Sequence, residues 1–251
     1  MACCTGYCAA ESQFDRKRAE RDLQRYRRRG ADTTTRLMLA ELRRWPLEGR
    51  QLLDIGGGIG VISAELAGTG IASVTVVEAS SAYLEVARRE VGSRYAARPT
   101  KFLLGNFAVI ASTLTDADVV TLDRVVCCYP DAEALLRGAA ARARRLLAFT
   151  YPRDRWYVRT MIALENFFRR LRGNGFRAFV HPPQRMDAVL KAAGLVRAAR
   201  HGTLVWVLDL YHREGADSRI SEAGGAGEEK DAGDTVPSRF RTSDAPKDIR
   251  S

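Results

Sequence analysis

The glycine-rich segment at residues 52–60, LLDIGGGIG, is the feature that most restricts what this chain can fold into. An apolar run stops at Asp54, a glycine loop follows, and a helical pattern of apolar residues resumes at residues 61–66. A second apolar run, at residues 74–77, ends on Glu78. Glycine tolerates a positive φ and lets a ligand approach the backbone closely. This order predicts a strand, a tight turn, a helix and a second strand, with Glu78 suited to the diol of a ribose.

The spacing of the glycines does not fit a dinucleotide site. Counted from Gly56, the sixth position is Val61, where such a site favours Gly or Ala so that the helix packs closely on the strand. Asp54 directly precedes the loop, and its carboxylate would repel phosphate oxygens but suits a cationic ligand. The whole unit therefore predicts a cofactor that contains adenosine and has a cationic end. A glycine turn with only an architectural role is the alternative.

The loop resembles motif I of the class I S-adenosylmethionine-dependent methyltransferases, an Asp-x-Gly-x-Gly-x-Gly turn. Asp54, Gly56, Gly58 and Gly60 match that pattern in register. The resemblance implies that S-adenosyl-L-methionine is the cofactor, with its methionine half on this turn. It also implies that Glu78 binds both ribose hydroxyls.

The end of the third predicted strand supplies two further candidates for cofactor binding. Asn106 stands where this family commonly has an Asp that accepts a hydrogen bond from the adenine amino group, and an Asn carbonyl can still accept that bond. The resemblance also makes Phe107 a candidate to stack on adenine. An ordinary core position is the alternative for Phe107.

Residues 122–131, LDRVVCCYPD, follow the fourth predicted strand, where the family places residues that face the substrate. Together with residues 26–30 and 149–152, they resemble the magnesium-protoporphyrin O-methyltransferase branch, over roughly residues 14–210. That branch tends to carry a histidine directly before the Tyr-Pro pair. Here this position is Cys128, which departs from the branch.

The chemistry of the acceptor decides which residues are required. Methyl transfer from a sulfonium is an in-line displacement that depends on proximity, alignment and a dry site. A carboxylate acceptor is ionised at pH 7 and requires no strong base, and Arg124 or Arg153 would hold it by bidentate hydrogen bonds. A phenol or alcohol would require a base, for which Asp123, Tyr129 or His181 are candidates. The catalytic candidates are Asp123, Arg124, Tyr129 and Tyr26.

The periodicity of apolar residues predicts an α/β fold with a doubly wound, Rossmann-like, mostly parallel seven-stranded sheet. Strands are expected at residues 51–55, 72–77, 101–104, 118–122, 146–150, 195–199 and 204–210. The last two strands are expected to form an antiparallel hairpin that turns near His201 and Gly202. Helices are expected at residues 14–29, 33–44, 59–67, 81–90, 131–145, 156–172 and 182–193.

Composition suggests how these elements are grouped. We expect a flexible, cysteine-containing N-terminus at residues 1–13, a helical cap at 14–46, a methyltransferase domain at 47–213 and a disordered tail at 214–251. The cap and the helix at 156–172 are expected to cover the acceptor. The five cysteines lie at positions 3, 4, 8, 127 and 128. Because their spacing matches neither a disulfide framework nor a zinc finger, we expect reduced thiols and no metal.

Charge and targeting signals limit the partners. No apolar run reaches membrane-spanning length and no signal-peptide core is present at the N-terminus, which predicts a cytoplasmic protein. The net charge of +10 could serve RNA, an acidic membrane surface or an anionic small molecule. Without an RNA-binding module, nucleic acid is not the expected partner. The leading hypothesis is O-methylation of a small-molecule acceptor; the alternatives are an RNA- or protein-modifying methyltransferase and a non-catalytic cofactor-binding homologue. The oligomeric state stays open.

Overall fold

The computed structural model describes residues 11, 13–95 and 98–215. These residues form a seven-stranded sheet with the order β3-β2-β1-β4-β5-β7-β6. The strands are β1 Gln51–Ile55, β2 Ser73–Glu78, β3 Thr100–Leu104, β4 Ala117–Leu122, β5 Ala143–Pro152, β6 Leu195–Gly202 and β7 Trp206–Arg213. The first five strands are parallel, and β7 pairs antiparallel with both β5 and β6. The predicted fold class, including the antiparallel C-terminal hairpin, is confirmed.

The helices alternate with the strands as the periodicity predicts. They are α1 Arg16–Arg29, α2 Thr33–Leu42, α3 Val61–Glu65, α4 Ser81–Arg94, α5 Phe107–Ile110, α6 Ala132–Arg142, α7 Trp156–Leu171 and α8 Pro183–Ala192. Side-chain caps set several of the helix starts. Asp15 Oδ1 accepts from Arg18 N at 2.8 Å and Asp131 Oδ1 accepts from Ala134 N at 2.8 Å, so α1 and α6 each begin after their aspartate.

The core lies on both faces of the sheet because alternate strand residues point to opposite sides. On β1, Leu53 and Ile55 belong to one apolar cluster, which also contains residues of α6 and α8. Leu52 belongs to the other cluster, together with residues of α2, α3 and α4. Helices therefore pack on both faces of the sheet, as the predicted doubly wound arrangement requires.

Most element boundaries differ from the sequence-based prediction by a few residues, among them those of α6, β6 and α3. The helix α6 ends at Arg142, because Ala143 already pairs with Ala117 of β4 and the strand register overrides the helix propensity of the run of Ala and Arg. The hairpin turns over residues 203–205, where Trp206 N donates to Thr203 Oγ1 at 2.9 Å, and β6 continues through Gly202. The helix α3 covers five residues and is followed by a short 3₁₀ turn at Ala67–Thr69.

The predicted helical cap corresponds to α1 and α2. Leu23 and Tyr26 of α1 pack with Tyr83 and Val86 of α4, while Met38 of α2 lies in the cluster that reaches β5 and β7. Within residues 11, 13–95 and 98–215, no helix is long and apolar enough to cross a membrane. The predicted flexible N-terminus, with its cysteines at positions 3, 4 and 8, lies largely outside the described residues, as does the predicted disordered tail beyond residue 215.

Candidate active site

A cavity of about 880 Å³ lies where the carboxyl ends of the parallel strands meet. Its floor is formed by residues that follow β1 to β5, and its cover by α1, the loop before α2, and α7. The predicted site residues that line it are Tyr26, Asp54, Gly56, Gly58, Glu78, Asn106, Phe107, Asp123, Arg124 and Tyr129. Gly60, Arg153 and His181 are not among the described residues that line it. The fold therefore brings most of the predicted residues to one site.

Three of the four glycines in the loop have a positive φ, and each has its own structural reason. Gly56 has φ 61°, its N–H donates to Val77 O at 2.7 Å, and a Cβ there would collide with Val125. Gly58 has φ 58° and lines the cavity, where the nearest atom to an added Cβ would be 3.9 Å away. Gly60 begins α3 with φ 83°, and a Cβ there would lie 2.5 Å from Val91 Cγ2. The loop is thus held tightly at both ends and leaves backbone exposed to a ligand in its middle.

Glu78 is held by the loop that it faces. Its side chain is buried, Oε2 accepts from Gly58 N at 2.9 Å and Oε1 accepts from Ser80 N at 2.8 Å. Burial raises the pKa of Glu78, and these backbone donors oppose the shift. A carboxylate offers about four lone-pair sites, so even with the Ala79 backbone as a third donor a site remains for a ligand hydroxyl. The position predicted to bind the ribose diol fits that ligand.

Asp54 lies beneath the loop, with only 1% of its surface exposed. Its Oδ2 accepts from Ser63 Oγ and its Oδ1 from Thr121 Oγ1, both at 2.8 Å. Burial raises the pKa of Asp54 to about 6, although both hydroxyls lower it. A cationic ligand in the cavity would feel the charge of Asp54 through space, because the carboxylate is almost fully buried beneath the loop. The sequence did not identify Ser63 and Thr121 as partners of Asp54, since the fold alone brings them together.

Asn106 and Phe107 differ in detail from their predicted roles. Asn106 Oδ1 accepts from Ala108 N at 3.0 Å and from Tyr129 Oη at 2.9 Å, so the oxygen assigned to adenine already has two donors. Phe107 is 1% exposed and packs in the core with residues of α6 such as Leu135. This near-complete burial favours the core role that was the alternative, although Phe107 is among the residues that line the cavity.

A network joins the cap to the ends of β4 and β5. Asp123 Oδ2 accepts from Thr35 Oγ1 at 2.5 Å, and Asp123 Oδ1 accepts from Thr150 Oγ1 at 2.7 Å. Arg124 Nη2 forms an ion pair with Asp32 Oδ2 and lies 3.7 Å from Asp123 Oδ2. Sequence reasoning missed Asp32, Thr35 and Thr150. One sequence pattern could have identified Asp32 and Thr35: the Asp-x-x-Thr spacing at the start of α2, in which Asp32 caps the helix.

Arg124 is held in an unusual backbone conformation by this network. Its φ is 59°, in the left-handed region that residues other than glycine rarely adopt, and its N–H donates to Thr150 Oγ1 at 2.7 Å. Burial would lower the pKa of Arg124, but Asp123 and Asp32 outweigh it and raise the pKa. The guanidinium that was predicted to hold an anionic acceptor thus has two carboxylates beside it.

The hydroxyl and thiol groups that line the cavity are poor bases. Tyr26 donates its hydroxyl to Glu65 Oε1 at 2.7 Å, and burial raises the pKa of Tyr26 to about 12. Burial also raises the pKa of Tyr129. The hydrogen bond with Cys127, followed by burial, raises the pKa of Cys128, whose Sγ lies 3.9 Å from Cys127 Sγ. All three groups stay protonated at pH 7.

The candidate base His181 and the candidate arginine Arg153 are not among the described residues that line the large cavity. His181 lines a second, smaller cavity of about 370 Å³, and its Nε2 lies 3.0 Å from Tyr129 O. Burial lowers the pKa of His181. The guanidinium of Arg153 lies against Gly202 in the C-terminal hairpin. Neither residue therefore has a described place beside the acceptor.

Six arginines line the cavity, at positions 18, 25, 29, 36, 124 and 169. Arg169 pairs with Glu165 at 2.8 Å, and Arg25 pairs with Asp22 at 3.2 Å. Arg18 lies 5.3 Å from the centroid of the Phe14 ring. Neither Arg18 nor Arg29 has an acidic partner in the described part of the chain. Arg36 of α2 has no acidic partner there either, but its guanidinium donates to Ala31 O and Thr33 Oγ1. Arg18 and Arg29, on one face of α1, are therefore the cavity arginines that have, among the described residues, neither an acidic partner nor a hydrogen bond that holds the guanidinium.

A model of the methyltransferase domain matches residues 52–148. No curated protein matches the sequence. Magnesium protoporphyrin IX methyltransferase from Synechocystis PCC 6803, solved with bound SAH, has a similar structure: the TM-score is 0.59 at 19% identity, over 76% of this chain and 94% of that chain. The same protein solved with bound SAM has a TM-score of 0.57 at 19% identity, over 81% and 92% of the two chains.

An O-methyltransferase family protein from Burkholderia thailandensis is also similar in structure, with a TM-score of 0.60 at 18% identity, over 81% of this chain and 62% of that chain. At these identities the solved structures establish the fold. The predicted cofactor, S-adenosyl-L-methionine, agrees with the matched domain and with the ligands of the Synechocystis structures. Residues 52–148 therefore match a methyltransferase domain, and this match supports an enzyme that uses S-adenosyl-L-methionine.

Proposed function

We propose that the protein is an S-adenosyl-L-methionine-dependent methyltransferase that methylates an oxygen atom of a small-molecule acceptor. The observation that carries this proposal is the cavity itself, which joins the glycine loop and Glu78 to the ends of β4 and β5 under one cover. Ligand cavities span about 300 to 1,000 Å³. A volume of 880 Å³ therefore has room for a cofactor and an acceptor side by side.

The cofactor end is assigned to four residues. Glu78 binds the ribose diol through the lone pairs that Gly58 and Ser80 leave, and the exposed backbone at Gly58 carries the methionine half. The charge of Asp54 beneath the loop favours the cationic groups of the cofactor. Asn106 faces adenine with its amide nitrogen, because its oxygen is occupied. When bound, the cofactor supplies an electrophilic methyl group on a sulfonium.

The acceptor end favours an oxygen that is already ionised. Tyr26, Tyr129 and Cys128 line the cavity and have raised pKa values, so they donate hydrogen bonds and do not remove protons at pH 7. A carboxylate requires no base, since its ordinary pKa is about 4. The departure of Cys128 from the histidine of the porphyrin branch is compatible with such an acceptor. A porphyrin propionate is one member of this class.

The contacts of Arg124 favour a positioning role over the predicted role of holding the acceptor. Because Asp32 and Asp123 compensate its charge, Arg124 positions the cap against β4, and Asp123 is the anchor that receives Thr35 and Thr150. Positive charge for an anionic acceptor comes instead from Arg18 and Arg29. Both lie at the cavity on α1, where a flexible guanidinium can form a bidentate pair with a carboxylate.

The test is a screen of acceptors with labelled cofactor. A porphyrin or aromatic carboxylic acid is expected to be methylated, while its methyl ester is not. Methylation of phenols in preference to carboxylates would overturn the anionic-acceptor part of the proposal. Methylation of RNA or protein alone, or cofactor binding without any turnover, would favour the alternatives named from the sequence.

Substitution on α1 tests the arginines directly. Arg29→Gln is expected to raise the KM for a carboxylate acceptor about tenfold, the loss of one charge-assisted hydrogen bond. The matched control is Arg28→Gln, since Arg28 is an exposed neighbour whose Nε bonds to Gln24 O and which does not line the cavity. Equal KM values for the two variants would show that Arg29 does not bind the acceptor.

A further inference from the structure

The helix α7 carries large apolar side chains on the side that faces away from the protein. Trp156 is 78% exposed, Phe167 is 55% exposed and Leu171 is 66% exposed. Leu164 and Phe168 of the same helix are also exposed. By contrast, Val158 and Ile162, on the opposite side, are buried. This helix is therefore apolar on both sides, whereas a surface helix of a globular protein normally has a polar outer side.

The exposed apolar residues form one stripe, within which Thr160 is an exposed polar residue. With about 100° of rotation per residue, the apolar side chains from Trp156 to Met161 cover an arc of about 140° around the helix. Arg159 and Arg170 border this arc on one edge and Arg172 borders it on the other. Of these, Arg170 and Arg172 have no acidic partner in the part of the chain that the structure describes, and neither does Arg155 at the start of the helix.

We propose that this outer face of α7 docks onto the surface of an anionic lipid bilayer. An apolar stripe of Trp, Phe and Leu bordered by arginines is the composition of helices that lie in the membrane interface. Unpaired arginines beside the stripe complement the negative potential of anionic lipids. Leu204, which is 75% exposed, extends the stripe because Tyr157 Oη donates to Leu204 O at 2.7 Å and ties that turn to the helix.

Docking in this way has a consequence for the cavity. Met161 is 39% exposed on the outer side and also lines the cavity, as does Ile162 one position on. The helix that touches the bilayer is thus the helix that covers the acceptor. An apolar acceptor dissolved in the lipid could then reach the cavity along α7 without passing through water. This inference does not depend on which atom of the acceptor is methylated.

The contacts favour lipid over a second copy of the chain. A self-complementary interface would place the arginines of α7 against acidic residues of the partner helix, yet the exposed side of α7 offers Glu165 alone, and Arg169 already pairs with it. A bilayer of anionic lipid supplies the missing negative charge over the whole length of the stripe.

The test is sedimentation of the full chain with vesicles. Vesicles of phosphatidylglycerol and phosphatidylcholine in equal parts are expected to carry the protein down, and pure phosphatidylcholine vesicles far less. The double substitution Phe167→Ser, Leu171→Ser is expected to weaken binding about tenfold or more, because it removes two large side chains from the apolar contact. The matched control is Leu104→Ser, Val109→Ser, which removes apolar residues exposed by 48% and 59% on other elements.

Tryptophan fluorescence of the wild-type protein provides a second measurement of membrane binding. The emission of Trp156 is expected to shift to shorter wavelength when anionic vesicles are added, and Trp156→Phe is expected to abolish that shift. Unchanged sedimentation of the Phe167, Leu171 variant, or equal binding to neutral and anionic vesicles, would overturn the proposal. A dimer in lipid-free solution that dissociates on the same double substitution would assign the stripe to a second copy instead.

Discussion

The two ends of the cavity are built in different ways. At the cofactor end, Asp54, the glycines and Glu78 come from one continuous strand–loop–helix–strand unit. Glu78 and Gly56 bond to nearby backbone, and the side chain of Asp54 reaches beyond the unit, to Thr121 of β4. At the acceptor end, Asp32 and Thr35 of the cap meet Arg124 of the β4 loop and Thr150 of β5. The cofactor end is thus determined locally, and the acceptor end depends on packing between distant segments. Three predictions test this difference.

The largest effect is expected for Glu78→Ala. Loss of two charge-assisted hydrogen bonds to a ribose, worth about 2 kcal/mol each, would weaken cofactor binding about a thousandfold. Isothermal titration calorimetry with S-adenosylmethionine measures this. Glu85→Ala serves as the control, because Glu85 lies on α4 and pairs with exposed Arg16. If Glu78→Ala bound S-adenosylmethionine with wild-type affinity, Glu78 would not bind the cofactor.

The second prediction concerns the buried charge of Asp54. Its pKa is raised to about 6 by burial, from an ordinary value near 4. The protonated form is therefore favoured by folding, and stability falls as the pH rises through about 4 to 6. Asp54→Asn is expected to remove this dependence and to raise the free energy of unfolding of the cofactor-free protein by up to about 3 kcal/mol at pH 8.

Urea denaturation of both proteins at pH 5 and pH 8 measures the effect of Asp54. The same variant is expected to bind the cationic cofactor more weakly, so stability and binding change in opposite directions. Asp116→Asn is the control, since Asp116 is an exposed partner of Arg142. A pH profile of Asp54→Asn that is parallel to the wild type would contradict the buried-charge argument.

The smallest effect is expected at the acceptor end. Asp32→Ala removes the N-cap of α2 and the ion-pair partner of Arg124, and is expected to lower the free energy of unfolding by about 1 kcal/mol. The KM for the acceptor is expected to rise, while cofactor affinity stays near that of the wild type. The control is Asp15→Ala, because Asp15 caps α1 in the same way without contacting Arg124. Equal changes in cofactor and acceptor binding would mean that the two ends are not independent.

Much of the fold could be read from local patterns. The strand β1 lies at the predicted residues, and α4 begins at the predicted residue 81, directly after its N-cap Ser80. The boundary between α6 and β5 could not be read, because a run of Ala and Arg has helix propensity and only pairing with β4 converts it to strand. The ion pair of Arg124 with Asp32 could not be predicted either, because the two residues are far apart in sequence.

By itself, the sequence determined the glycine loop, the carboxylates of Asp54 and Glu78 and the order of strands and helices. These features follow from backbone conformation and short-range periodicity, which a single segment already contains. The tertiary structure decided which groups neutralise each other: the two hydroxyls on Asp54, the donors that occupy Asn106, and the carboxylates beside Arg124. It also decided that α7 keeps an apolar side exposed, since the periodicity of a helix with two apolar sides does not tell which one is covered.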